Sequence, residues 1–405
     1  MSQVVGRYYR PELDVLRFVA FLMVFLHHAL PRVPEAYVGW FGPTAAAILA
    51  EAVTAMSFGL CLFFFLSAYL ITTLLTMEME KTGRIRIGDF YMRRLLRIWP
   101  LYFFAIALGV ALALALRDGA SLTMFAYFSG FVGNWYFFDH PWAGSPFFPL
   151  WSISIEEQFY LVLPLLTVAV GVRRLGPAAV MVTIASLVAL HLQGERHMEV
   201  DTAIWTNTAS QAIFFGAGML LAVVHRRGIA PVSGAMRLAA VPVVVAAFAL
   251  ATAVFGIKTV GPAPSGLPLA AGYAVVAFGC VVSVIAVVDA PWRFPPVLVH
   301  LGKISFGLYV FHVLAMWISK KLFSYLPFRT PLEVIDLAAL PIVVVMAMVS
   351  YHGLELPFLR LRKRFTTIAN RPDEDAPRDL LTNAAGAVRA PRADRTGSPF
   401  PGVGR

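Results

Sequence analysis

Cysteine is nearly missing from this chain. Cys61 and Cys280 are the two in 405 residues, which leaves no disulfide framework to staple a fold, and both fall inside apolar runs. Charge is scarce as well. Asp, Glu, Lys and Arg make up 14% of the residues, against about a quarter in ordinary soluble domains, while 59% are hydrophobic and the mean hydropathy is +0.73. Together these shortages exclude a water-soluble globular protein and assign the chain to a membrane. Acids are outnumbered by bases, 23 to 33, for a net charge of +10.

What the chain has in quantity is long apolar runs. Stretches of about 18 or more such residues, the length needed to cross a bilayer, occur near 13–30, 53–76, 96–116, 150–170, 176–192, 208–225, 238–256, 268–288, 303–323 and 334–356. The expected fold is an all-α integral membrane protein, a bundle of about ten transmembrane helices filling residues 1–365. Two longer connections, 31–52 and 117–149, are rich in Gly, Pro and aromatics, and the second reads as interfacial structure covering an opening. Residues 366–405 have the Pro, Arg and Gly bias of a disordered cytoplasmic tail. No soluble catalytic domain is expected within these residues, and the first apolar run lacks a cleavage site and is kept as a helix.

The cations sort by loop. One set holds Lys81, Arg84, Arg86, Arg93, Arg94 and Arg97, then Arg173 and Arg174, Arg226, Arg227 and Arg237, Arg293 and Lys303, and Arg360 to Arg364. Basic residues stay on the cytoplasmic side, so this set and both termini are expected there, in the plasma (inner) membrane. The opposite loops hold Arg32, Arg117, Arg196 and Lys258 singly; Lys320, Lys321 and Arg329 are the exception. Because the positive charge lies beside helix ends, it faces an anionic leaflet, and a nucleic-acid partner is excluded.

Five placements of polar residues stand out against the apolar background. The run "DVLRFVAFLMVFLHHAL" carries Arg17 and His28 eleven residues apart, about 16 Å of rise and roughly 20° of azimuth on an ideal helix. Asp14 lies close to that line at i,i+3 from Arg17, and His27 is expected roughly 80° off it. Ionisable groups inside a membrane usually face a polar interior and mark function, although an Arg and a His at opposite interfaces are also cheap placements. Arg93, Arg94 and Arg97 in "FYMRRLLRIWPLYF" present guanidinium groups together. A phosphate site and simple retention on the basic side both account for them.

In "FFPLWSISIEEQFYLVLPLL", Glu156 and Glu157 enter an apolar span. Ser154 and Glu157 fit a capping box that starts a helix there, with Glu156 left as either a first-turn anion or a functional acid. Ser305, Tyr309 and His312 make a polar stripe at i, i+4 and i+7, and His352 and Glu355 sit at i,i+3 in "SYHGLELPF". Each also reads as an interhelical hydrogen bond.

In order and spacing, the R-x10-H pair, "FFFLSAYLI", "FYMRRLLRIWPLYF", "GNWYF", "PLWSISIEEQFYL", "ISFGLYVFH" and "ELPF" resemble the acyltransferase 3 family of bacterial integral-membrane O-acyltransferases, over residues 8–365. The resemblance implies acyl transfer, usually acetyl from acetyl-coenzyme A, to hydroxyls of envelope sugars or glycosides. It implies that Arg17 and His28 are the paired residues of the first helix and that Arg94 and Arg97, with Arg93 beside them, receive coenzyme A. Glu156, Tyr309 and His312 are also singled out, with Asp14 and Glu355 in support. His352 departs from the family pattern, and the C-terminal hydrolase-like domain of some relatives is not in this sequence. No metal and no permanently bound cofactor are expected; acyl-coenzyme A is a substrate. The mechanism this suggests has His28 as general base, oriented by Glu156, with Tyr309 or Arg17 facing the oxyanion. The rival reading is a transporter built on the same buried Arg, His and Glu; it calls for paired halves with interrupted helices, which the sequence does not display.

Overall fold

The computed structural model describes residues 6–369, apart from 141–143, 197–200, 230–231, 260 and 328–329. All of the expected tail beyond Ala369 lies outside the described residues, as does Arg329. The described chain is helical almost throughout: α1 (Pro11–Ala29), α2 (Glu35–Ala55), α3 (Gly59–Thr82), α4 (Ile87–Leu116), α5 (Gly119–Ser129), α6 (Gly133–Asp139), α7 (Trp151–Val170), α8 (Leu175–Glu195) and α9 (Asp201–Trp205). Then follow α10 (Thr208–Arg227), α11 (Gly234–Ala253), α12 (Gly266–Val287), α13 (Pro296–Lys303), α14 (Ser305–Phe323), α15 (Leu332–Leu337), α16 (Ala339–Ser350) and α17 (Leu356–Arg362). A short parallel pair, β1 (Gly6–Arg7) with β2 (Ile368–Ala369), joins the two ends of the described chain.

Among the described residues, nine helical segments are long and apolar enough to cross a membrane. α1 is not one of them, because Glu12, Asp14 and Arg17 interrupt its apolar run. It lies instead in the middle of the bundle, packed against α3, α12, α13 and α14. Close approach there depends on glycine: a Cβ at Gly302 would overlap the backbone of Asp14, and one at Gly59 the backbone of Ala20. Rings of Phe21, Phe25, Phe58, Phe64, Phe65, Tyr69 and Tyr102 fill the core. Outward faces stay apolar, with Leu161, Val162 and Leu165 on α7 and Met181, Ile184 and Val188 on α8 exposed, as lipid requires. Helices satisfy their own backbone groups, which is why they can span hydrocarbon.

Both longer connections are largely helical, with α5 and α6 inside 117–149. Residues 31–52, read as an outer segment, form most of α2, broken where Gly42 adopts φ 75° before Pro43. Proline lacks the N–H that continues a helix and glycine tolerates the left-handed turn, so their presence signals a kink in a helix rather than its absence. Near the end of the bundle, "YHGLE" (Tyr351–Glu355) forms a π-helical turn.

Contacts divide the bundle into two ends. Arg10 pairs with Asp289, Arg226 with Glu80, and Arg93 with Glu78; Arg237 donates to the carbonyls of Ala286 (2.8 Å) and Val288 (2.9 Å). These residues come from the loops that the cation pattern grouped together, so that grouping describes a physical end of the molecule. At the other end Lys258 meets Glu51 and Lys320 meets Asp336.

Candidate active site

α1 connects two cavities through its two ends. Arg17 lines an inner cavity of about 70 Å³ together with Ser67, Arg94, Arg97, Glu156 and Tyr160. His28 lines an outer cavity of about 290 Å³ whose walls include His27, Arg32, Phe148, Trp151 and Trp205. Leu60 and Tyr309 border both cavities. A regular helix places two polar residues eleven positions apart on nearly one line, and the fold uses that line as a shared wall.

The imidazole of His28 is held by its own helix. Its Nδ1 is 2.8 Å from the carbonyl of Val24, and a carbonyl only accepts, so Nδ1 carries the proton and a neutral ring presents its lone pair at Nε2. His312 follows the same logic: Nδ1 lies 2.6 Å from the Tyr309 carbonyl, while Nε2 is buried without a partner among the described residues. The two rings are 5.0 Å apart between centroids. His27, expected off the line, also lines the outer cavity. A cavity is wider than one helical azimuth. Both of its nitrogens are occupied, Nδ1 by the Val53 carbonyl at 3.0 Å and Nε2 by Arg32 at 3.1 Å, so it offers no free lone pair.

The tertiary fold separates the three arginines of α4. Arg94 and Arg97 enter the inner cavity. Arg94 is buried between the rings of Phe90 and Tyr160, each 5.7 Å from its guanidinium carbon, with Nε unpartnered among the described residues. Arg93 points elsewhere: it donates to Glu78 at 3.0 Å and to the carbonyl of Phe365 at 2.8 Å. Glu78 is 2% exposed, so Arg93 neutralises a buried carboxylate, and it does not line the cavity of its two neighbours.

Glu156 takes a hydrogen bond from Ser67 at 2.8 Å, and the Tyr160 hydroxyl donates to the same Ser67 Oγ at 3.1 Å. This places Glu156 among the arginines of the inner cavity. The expected contact with His28 is not made, because the Val24 carbonyl already occupies Nδ1 and the acid sits on the other side of Tyr309. The expected capping box is also replaced. α7 starts at Trp151, which leaves Ser154 inside the helix accepting from the Gly133 amide at 3.2 Å, and Glu157 accepts from Trp99 Nε1 at 3.2 Å. Tyr309 bonds Ser152 at 2.7 Å and donates to the Pro149 carbonyl at 3.3 Å; it is a dividing wall whose hydroxyl is engaged.

Asp14 pairs with Arg17 at 3.5 Å and so aims that guanidinium along α1. Glu355 accepts from Ser350 at 3.3 Å against Gly307 of α14, outside both cavities. Sequence reasoning missed Ser67, Tyr160 and Arg32, which carry no spacing signal of their own. It also missed Gln158, which donates to Asn134 at 3.0 Å and accepts from Thr208 at 2.6 Å, tying α6, α7 and α10 together.

Comparison with known proteins identifies the family. A family profile described as an acyltransferase domain matches residues 10–351. The chain is similar to the O-acetyltransferase OatA of Staphylococcus aureus strain NCTC 8325, 30% identical over 197 residues, 45% of this chain and 29% of the relative. It is likewise similar to a putative O-acetyltransferase of Staphylococcus aureus strain MSSA476, 30% identical over 169 residues, 40% of this chain and 25% of the relative. The chain thus spans less than a third of the length of these relatives. No solved structure matches it.

Proposed function

We propose, from the premise that the chain belongs to the acyltransferase domain family, that it is a membrane O-acyltransferase moving an acetyl group from acetyl-coenzyme A to a hydroxyl of a carbohydrate or glycoside. The observation that carries this reading is the pair of cavities sharing Tyr309 and Leu60, with Arg17, Arg94 and Arg97 on one side and His28 on the other. The cationic end faces the cytoplasm, as the cation pattern requires. There the phosphates of the donor meet Arg94 and Arg97, which form charge-assisted bonds to phosphate oxygens, and the flexible arm carries the thioester along α1 past Tyr309. The acceptor sits in the larger outer cavity.

In the transfer step the acceptor oxygen bonds to the thioester carbonyl carbon while its proton passes to Nε2 of His28. The tetrahedral oxyanion collapses, the carbon–sulfur bond breaks, and the coenzyme A thiolate leaves and takes up that proton. Purified protein in nanodiscs, given radiolabelled acetyl-coenzyme A and extracted envelope glycans, tests the reading. Ester-linked label on glycan, absent with His28→Ala, is the expected result; no consumption of acetyl-coenzyme A by wild type overturns it.

A further inference from the structure

Arg32 sits in the short connection between α1 and α2, on the wall of the outer cavity. The described residues give it one hydrogen bond, from Nη1 to Nε2 of His27 at 3.1 Å, and His27 is held in turn by the Val53 carbonyl. No Asp or Glu among the described residues pairs with it, and none lines the cavity. The surrounding loop is braced, because the Tyr37 hydroxyl donates to the Pro31 carbonyl at 2.7 Å. Arg32 is exposed on the cavity wall, where an entering anion can reach it, and a guanidinium suits a two-oxygen acceptor. Phe148, Trp151 and Trp205 supply flat apolar walls beside it.

We infer that the acceptor is an anionic glycoside, whose carboxylate or phosphate pairs with Arg32 while its sugar ring lies against Phe148, Trp151 and Trp205 and its hydroxyl faces His28. This rests on the acceptor occupying the outer cavity, as proposed above. Arg32 would then select the acceptor and fix which hydroxyl reaches Nε2, and His27 would position Arg32 rather than act on the proton.

The test measures binding by ligand-induced thermal shift in nanodiscs, at constant ionic strength, with methyl β-D-glucuronide, glucose 1-phosphate and methyl β-D-glucoside as probes. At least one charged probe is expected to bind about tenfold or more tightly than the glucoside, the scale of one charge-assisted contact; which of the two does so separates carboxylate from phosphate. Arg32→Gln should remove the preference and Arg32→Lys should retain part of it, which distinguishes lost charge from lost folding. Equal binding of all three probes by wild type, no binding of either charged probe, or a preference that survives Arg32→Gln overturns the inference. Acetyl transfer from acetyl-coenzyme A is followed in the same samples. Charge-selective binding without any transfer would sink the proposed function and leave Arg32 as an anion site; transfer confined to uncharged acceptors would do the reverse.

Discussion

At the scale of single residues, the two imidazoles that line the outer cavity differ in which nitrogens are already committed. His28 has Nδ1 tied to Val24 and a lone pair at Nε2, whereas His27 has both nitrogens engaged. His28→Ala is therefore expected to lower acetyl transfer by at least about a hundredfold, the usual contribution of a general base, with donor binding intact. His27→Ala should retain turnover on an uncharged acceptor and lose affinity for a charged one, since it releases Arg32. Transfer assays on both variants check this, and equal kcat losses would remove the distinction. Glu156 belongs to the inner cavity and does not touch His28, so Glu156→Gln is expected to leave the acidic limb of the pH–rate profile, which reports the base, where it is. A shifted limb would restore the coupling to the base that the sequence suggested.

At the scale of the element, α4 divides one cluster of arginines between a buried carboxylate and a cavity. Arg93 and Arg94 are adjacent, so roughly 100° of helical azimuth separates them; both lie near the Phe90 ring, but Arg93 reaches Glu78 while Arg94 enters the inner cavity. Removing Arg93 strands the buried carboxylate of Glu78, which costs about 3–5 kcal/mol by the usual penalty for breaking a buried pair. Arg93→Ala should thus lower the melting temperature in detergent, while Arg94→Ala and Arg97→Ala should raise the KM for acetyl-coenzyme A more than they reduce kcat. Measuring Tm and donor KM on all three separates the roles; a raised KM for Arg93→Ala at normal stability would return it to the donor site. Sequence spacing showed that three guanidinium groups share an end of the helix. Which of them meets a carboxylate depended on Glu78, fifteen residues away on α3.

At the scale of the whole molecule, the basic end is closed by a polar clasp. Arg10 before α1 and His225 at the end of α10 both hold Asp289 beyond α12, and the strands β1 and β2 join next to it in sequence. The hydrogen bond from His225, and then the charge of Arg10, hold the Asp289 carboxyl below its ordinary value. A depressed carboxylate pKa contributes stability that is present above the unfolded value and is lost as pH falls through the folded one. Wild type is therefore expected to melt higher than Asp289→Asn at neutral pH and to lose that advantage as the pH drops below the ordinary carboxylate range. Melting curves of the two proteins across that range decide it; a gap independent of pH would mean that the clasp does not act through charge.

Composition alone determined that this chain lives in lipid, because 59% hydrophobic residues cannot be covered by the few polar ones. Periodicity determined that Arg17 and His28 share a line, since helical geometry is local and regular. The loops with cations were legible for the same reason: their side depends on charge counts, and the ion pairs of Arg10, Arg93 and Arg226 gather them at one end. Only the tertiary structure decided that Glu156 lines the cavity of Arg17, Arg94 and Arg97, that His27 joins the outer cavity, and that Arg32 has no acid partner among the described residues. Those facts depend on which helices meet at a given depth, and partners such as Ser67, Val53 and Glu78 lie far from them along the chain. Local spacing carries no information about a contact made across the bundle, where packing chooses the neighbour.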